Sequence, residues 1–430
     1  MGKIILRKIL KNANRIEFDF FYSDDLKSYF TFDSFYAEYD NSILQVPDAV
    51  CAVPFVCNVL PIIWLTDSEL EIPELDEDFY NSIPEFKKGY IDMFPDAVFK
   101  GNINVKKVIK CQQTKEDKAI LFFSGGLDAV TSLLRHKEEN LELLAVWGAD
   151  ISCDNEIGWN VLKETLFDSS KNYGFPLTVV RSSFRKFDNE GKLCEDFSSI
   201  LHDDWWHGVK HGIGLIGHAS VWAWQLQATK VYIASSFSVN DKNITCASWP
   251  TIDNNVRFCG VQVIHDGFEM SRMDKIQYVS DYQKIIQQSV PLHVCWEASN
   301  GYNCCRCEKC LRTLVAIRVA NGNPSAFGLM ENPNTYKYLY HFIALHYNFS
   351  PSKKVQWSKI QNAFLKNQQI LDKSIKRQLK WLKSFDFLHP ECNFCRKVQK
   401  VKDKIRSYRS RLALRFPALY VVYKKIKNHK

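Results

Sequence analysis

The sequence predicts an α/β protein built on a parallel sheet, with a β-rich segment before it and a helical region after it. Three observations carry that reading. From about residue 116, the apolar strand-length runs KAILFFSG, LELLAVWGAD, PLTVVRSS and KVYIASSF alternate with segments long enough for helices, the pattern of βαβ units. Before residue 116 the runs are short, aromatic and β-branched. After Pro324 the strand candidates disappear. These changes set three expected regions: 1–115, 116–325 and 326–430.

In the first region RIEFDFFYS, YFTFDSFYAEY, SILQVP and NINVKKVIKC read as strands, with one or two helices among them and an acidic stretch, DSELEIPELDEDFYNSIPEF. The most apolar run, AVCAVPFVCNVLPIIWL at 49–65, is interrupted by Pro54, Asn58 and Pro61. That makes it a poor membrane helix and predicts a pair of buried strands. The N-terminus has charges through its apolar part and no small-residue cleavage site, so the expectation is no signal peptide and a cytoplasmic protein.

Charge is unevenly spread. Arg396 to Lys430 hold 13 Lys and Arg against one acid, while the preceding 395 residues hold 43 basic and 47 acidic groups. The body is mildly acidic and the tail strongly basic. Leu, Phe, Tyr and Val among the tail's cations suit an anionic membrane surface better than duplex DNA, with a solvated helical face as the other reading.

At 119–136, AILFFSGGLDAVTSLLRH reads as a buried strand, a glycine turn and a helix. Backbone N–H groups and the positive end of the helix dipole at such a turn suit a phosphate. Gly125 and Gly126 allow close approach of an anion, Ser124 adds a hydroxyl, and Asp128 could hold Mg²⁺ against the phosphates. The alternative is an ordinary βα turn. No Walker A pattern occurs in the chain.

Fourteen cysteines in a large chain without an export signal point to metal or catalysis rather than disulfides. Cys51, Cys57, Cys111, Cys153, Cys194, Cys246 and Cys259 read as ordinary buried thiols. Cys295, Cys304, Cys307 and Cys310 follow one another at spacings that let four thiolates converge on a tetrahedral Zn²⁺, with Cys305 as the spare; an iron–sulfur cluster is the competing reading.

FFSGGLDA resembles the pyrophosphate-binding loop, S-G-G-x-D-S, of the PP-loop N-type ATP pyrophosphatases, with Ala129 where the family has Ser. The cysteine run CWEASNGYNCCRCEKC, following the loop, is similar to that of the 7-cyano-7-deazaguanine synthase branch, in a longer synthase-like form found in polysaccharide loci and phage-defence systems. The resemblance covers about residues 116–325. It implies an adenine nucleotide alpha hydrolase-like fold and an ATP-dependent, AMP-forming ligase that adenylates a carboxyl or carbonyl acceptor, small or protein-borne. It implies ATP contacts at Ser124, Gly125, Gly126, Leu127 and Asp128, an adenine edge at Val146 and Trp147, phosphate-binding cations at Arg272 and Lys275, bound Mg²⁺ and bound Zn²⁺. Catalytic roles fall to Ser124, Asp128, Arg272 and Lys275. A homodimer is one assembly such a protein could form. The alternative function is a catalytically silent nucleotide-binding module.

HGIGLIG at 211–217 matches G-x-G-x-x-G but follows DDWWHGVKH rather than a strand, which fails the dinucleotide fingerprint. Gly208, Gly212 and Ala219 read instead as a close-packed helix face. His207 and His211 lack the Glu of H-E-x-x-H, so lining a substrate pocket is favoured over metal binding. Cys392 and Cys395 read as a surface thiol pair.

Overall fold

A computed structural model describes residues 2–241, 244–295, 297, 300–345 and 349–387. The basic tail, Cys392 and Cys395 lie outside the described residues. The chain divides into two compact units, Met1–Met330 and Glu331–Lys430.

The first unit is α/β. In chain order it contains β1 (Lys3–Asn12), β2 (Arg15–Tyr22), β3 (Tyr36–Tyr39), α1 (Val53–Leu65), β4 (Glu69–Asp76), α2 (Glu77–Met93) and β5 (Asn102–Ile109). There follow β6 (Ala119–Phe122), α3 (Leu127–Arg135), β7 (Leu141–Trp147), α4 (Glu156–Tyr173), β8 (Leu177–Ser182) and α5 (Glu190–Leu201). The last elements are α6 (His211–Leu226), β9 (Lys230–Ala234), β10 (Arg257–Phe258), β11 (Val261–Asp266), α7 (Arg272–Ile286) and α8 (Glu308–Val319). All eleven strands join one sheet in the order β10-β11-β9-β6-β7-β8-β3-β2-β1-β4-β5. Strands β6, β7, β8, β9 and β11 run parallel. The four runs read as parallel strands are β6 to β9.

Three expectations are corrected. The run 49–65 forms helix rather than two strands. Every residue from Val53 to Trp64 is buried, so no 3.6-residue stripe separates it from a buried strand. Pro54 sits in the first turn, where its missing N–H costs little, and the Asn58 amide donates to the Pro54 and Gly214 carbonyls at 2.9 and 3.3 Å. SILQVP lies in turns. Finally, β3 pairs antiparallel with β8, Ala37 opposite Ser182. The strands of the first 115 residues therefore extend the common sheet, and residue 115 does not separate two compact units.

Six of the seven scattered cysteines are buried and Cys194 is half-buried. His207 lies in a π-helical turn, Trp206–Lys210, that runs into α6, so HGIGLIG is entered from a helix. A Cβ at Gly212 would meet the Ala247 carbonyl oxygen at 2.6 Å, and Ala219 is fully buried, as a close-packed helix face requires. No helix among the described residues is long and apolar enough to cross a membrane.

The second unit contains α9 (Thr335–Leu345), α10 (Pro351–Lys366), α11 (Lys373–Gln378) and a 3₁₀ helix, Lys380–Ser384. Its core includes Leu339, Trp357, Phe364 and Leu382.

His218 on α6 is fully buried, with Nδ1 2.8 Å from the Gly214 carbonyl and Nε2 2.8 Å from Ser182 Oγ. Burial pushes its pKa from 6.5 down to about 4. Between those values the unfolded chain binds a proton that the folded chain does not, so stability falls as pH drops through that window. The loss should reach on the order of 3 kcal/mol for this group. We predict a melting temperature that declines from pH 7 to pH 4.5, with a shallower decline in His218→Gln. An identical slope in that variant would remove His218 from the explanation.

Candidate anion site and metal centre

Strand order reverses at β6. From it the chain moves outward through β7 and β8, then returns to place β9 on its other side. In a parallel sheet the loops leaving two such neighbours diverge and open a crevice at the carboxyl ends of the strands. The glycine turn leaves β6 at that crevice.

All four residues of β6 are buried. Gly125 follows with φ +69°, a conformation unfavourable for residues with a Cβ, and an added Cβ would stand 2.9 Å from Leu166 Cδ2. Gly126 is the N-cap of α3 and supplies no side-chain cap, which leaves the first-turn N–H groups of Leu127, Asp128 and Ala129 directed at the crevice. The Gly126 N–H lies 3.4 Å from Ser124 Oγ. Leu127 and Ala129 have buried side chains, so only their backbone can meet a ligand. The His293 N–H donates to the Gly125 carbonyl at 2.8 Å and fixes the turn from outside.

The Asp128 carboxylate is occupied. Its two oxygens accept from Lys275 Nζ at 3.2 Å and Arg272 Nη1 at 3.1 Å. Burial alone would raise its pKa, but Lys275 and Arg272 outweigh burial and hold it below the usual carboxylate value. Ser271 begins α7 with a capping box, which puts Arg272 and Lys275 three residues apart on one face. Lys275 Nζ also donates to the Ser235 carbonyl at the end of β9. The expected Ser124, Asp128, Arg272 and Lys275 thus come together across 150 residues of chain.

Two further cations stand behind them. Arg312, 4% exposed, pairs with Glu308 at 3.1 Å. Its Nη1 is buried without a hydrogen-bond partner, while Arg272 and Asp128 act on it electrostatically. Lys309 lies in the fields of Arg272, Asp150 and Asp128, and burial holds its pKa below the usual lysine value, with Arg272 adding to the effect. Among the described residues these four cations are set against three carboxylates, Asp128, Asp150 and Glu308. Concentrated like charge is costly unless something anionic offsets it. The sequence reading missed Lys309 and Arg312. They repeat the three-residue step of Cys307 and Cys310 in CEKCLR, so the signal was present and was absorbed into the metal motif.

Val146 and Trp147 end β7. The β6–β7 ladder stops at Phe122 opposite Leu144, so the edge of β7 beyond it is unladdered on the side of the glycine turn. The Trp147 ring stacks on Trp159 at 5.2 Å and carries the Arg181 guanidinium 4.2 Å from its centroid. A base at this point would meet the strand's backbone rather than a free indole face. Gly148 then turns at φ +122°, where a Cβ would lie 2.0 Å from the Ser182 carbonyl oxygen. The loop it opens carries Asp150, which is exposed.

His211 and His293 each keep one buried ring nitrogen, Nδ1 and Nε2 respectively, without a hydrogen-bond partner. Burial, reinforced by nearby His207, pushes His211 down to about 4, so it is neutral at physiological pH. Asp150 acts on both rings. His207 Nδ1 is 2.7 Å from Asp203 Oδ2.

Cys295, Cys304, Cys307 and Cys310 bring their sulfurs within 4.8 Å of one another. The Cys295–Cys307 and Cys304–Cys310 separations are 3.9 and 4.0 Å, close to the edge of about 3.8 Å that a tetrahedron of Zn–S bonds requires. Cys307 caps the N-terminus of α8, its Sγ receiving the Cys310 N–H at 3.4 Å. Cys305 stands apart, its Sγ 3.2 Å from the Met330 N–H. This Cys₄ group could hold a metal such as Zn²⁺, and four protein thiolates leave no open position for chemistry.

No protein-family model and no curated protein matches the chain.

Purified protein should contain one zinc per chain by elemental analysis. Cys307→Ser should lose it and melt lower by on the order of 10 °C. Metal-free wild type, or a variant with unchanged metal and melting point, would contradict the assignment.

Proposed function

We propose that the chain is an ATP-dependent, AMP-forming ligase of the PP-loop pyrophosphatase type, which adenylates a carboxyl or carbonyl acceptor. The observation that carries this reading is the gathering of four cations, the buried Lys275 and Arg312 and the half-buried Arg272 and Lys309, around an uncapped helix N-terminus at a strand-order reversal. A single carboxylate would not need such a site. A polyphosphate would.

In this reading the β- and γ-phosphates lie on the N–H groups at the start of α3, and Ser124 donates its hydroxyl to them. Arg272 and Lys275 exchange part of their bond with Asp128 for phosphate oxygen. Mg²⁺ arriving with the nucleotide would screen the remaining charge, and the Asp128 carboxylate released by the cations is the residue available to hold it. The adenine lies along the unladdered edge of β7 at Val146 and Trp147. The α-phosphorus then faces the crevice. An acceptor oxygen attacks it, the bond to the bridging oxygen of the β-phosphate breaks, and pyrophosphate leaves with the charge that the cations stabilise. Ammonia or an amine next attacks the adenylated carbon and AMP departs. The zinc centre takes no part in either step; it fixes the start of α8 and hence Lys309 and Arg312.

One observation favours a second reading, a nucleotide-binding module without turnover. Ala129 is buried in the first turn of α3, where a hydroxyl would add a phosphate donor. Pyrophosphate release separates the two readings.

With the acceptor and Mg²⁺, ATP should yield AMP and pyrophosphate. Arg272→Ala should lower kcat about 10²–10³-fold. Gly126→Val is allowed by its φ of −71° but would fill the anion space, so it should fold and fail to bind ATP. ADP and phosphate as products, or normal ATP binding by Gly126→Val, would refute the proposal. Binding without any turnover would favour the silent module.

A further inference from the structure

The charge of the chain is divided at the boundary between its two units. Residues 1–330 hold 33 basic and 43 acidic groups, whereas 331–430 hold 23 basic and 5 acidic. Such asymmetry marks a partner of opposite charge for the basic unit. Within the second unit an open groove of about 750 Å³ is lined by Tyr340 and Trp381 and by Lys337, Arg377, Lys380 and Lys383, with no acidic residue on its walls among the described residues. The four cations are exposed and make no ion pair among the described residues.

We propose that this groove binds single-stranded nucleic acid. Three features select that occupant. Arg377, Lys380 and Lys383 recur every third residue. Lys380 and Lys383 lie on one 3₁₀ helix, where such residues share a face about 6 Å apart. A row of evenly spaced cations matches the repeating charge of a phosphodiester backbone, and a lone phosphate would use one of them. Beside the row stand rings: Trp381 meets Tyr340 edge-on at 5.7 Å and Phe385 at 5.8 Å, an aromatic cluster beside cations of the kind on which bases stack. The Trp381 indole N–H is buried without a hydrogen-bond partner among the described residues, a donor left for a base or phosphate oxygen. A bilayer surface offers broad contact to a convex or flat face and has no use for a concave aromatic pocket. Duplex DNA presents its bases stacked and unavailable to these rings.

The test uses the full chain and a fluorescent 12-nucleotide single strand, followed by anisotropy across a salt series. Binding should weaken steadily with salt. Arg377→Glu combined with Lys380→Glu removes two exposed cations and should leave thermal unfolding unchanged. It should weaken binding at least about tenfold and make the log–log salt slope shallower by roughly 1.4. Trp381→Phe should weaken binding without changing that slope. The proposal is overturned if the double variant binds like wild type or if no binding is seen at low salt. It is equally overturned if anionic vesicles bind and the oligonucleotide does not, or if a free mononucleotide competes as well as the strand.

Discussion

The Asp128 carboxylate, bound by Arg272 from one oxygen and Lys275 from the other, is the interaction on which the candidate site depends. It joins the start of α3 to the start of α7, and through Lys275 to the end of β9. Three parts of the crevice are thereby held in one arrangement. Removing one member of such a pair leaves an uncompensated charge in a poorly solvated place, at a cost of about 3–5 kcal/mol. With Lys309 and Arg312 close by, four cations stand against the three carboxylates Asp128, Asp150 and Glu308 among the described residues. The arrangement is stable enough to fold and still short of negative charge, which is the condition of a preorganised anion site.

The sheet explains why these groups meet. Crossing from β8 back to β9 on the far side of β6 separates the loops on either side of the glycine turn, and the crevice is what remains between them. Cys307 is at once a member of the Cys₄ group that could hold a metal and the cap of the helix that carries Lys309 and Arg312, so the Cys₄ group and these two cations share one piece of backbone.

Much of this was legible in the sequence where local patterns are strong. The parallel strands were visible because strands covered on both faces are continuously apolar. The Cys₄ group was visible because thiolate spacing has few other uses. The glycine turn located the crevice, and Arg272 and Lys275 were placed by resemblance. Legibility failed where a pattern served two ends or none. A helix buried on all sides, Val53–Leu65, has no stripe to distinguish it from strand. The acidic run at 67–86 concealed β4, although Leu70 and Ile72 alternate inward as a half-buried strand should. The pairing of β3 with β8, which merges the first 115 residues into the common sheet, is a long-range register that no local composition reports. His293 touches the glycine turn through its backbone N–H, a contact that its side-chain identity does not announce.

The central claim concerns where a triphosphate lies. A crystal structure with α,β-methylene-ATP and Mg²⁺, in which the scissile bridge is blocked, tests it most directly. The account predicts the β- and γ-phosphates on the N–H groups of Leu127 to Ala129, with Arg272 and Lys275 turned from Asp128 toward phosphate oxygen and the α-phosphate open to the crevice. A nucleotide lying elsewhere, or one with its γ-phosphate facing the crevice and its α-phosphate against the turn, would contradict it.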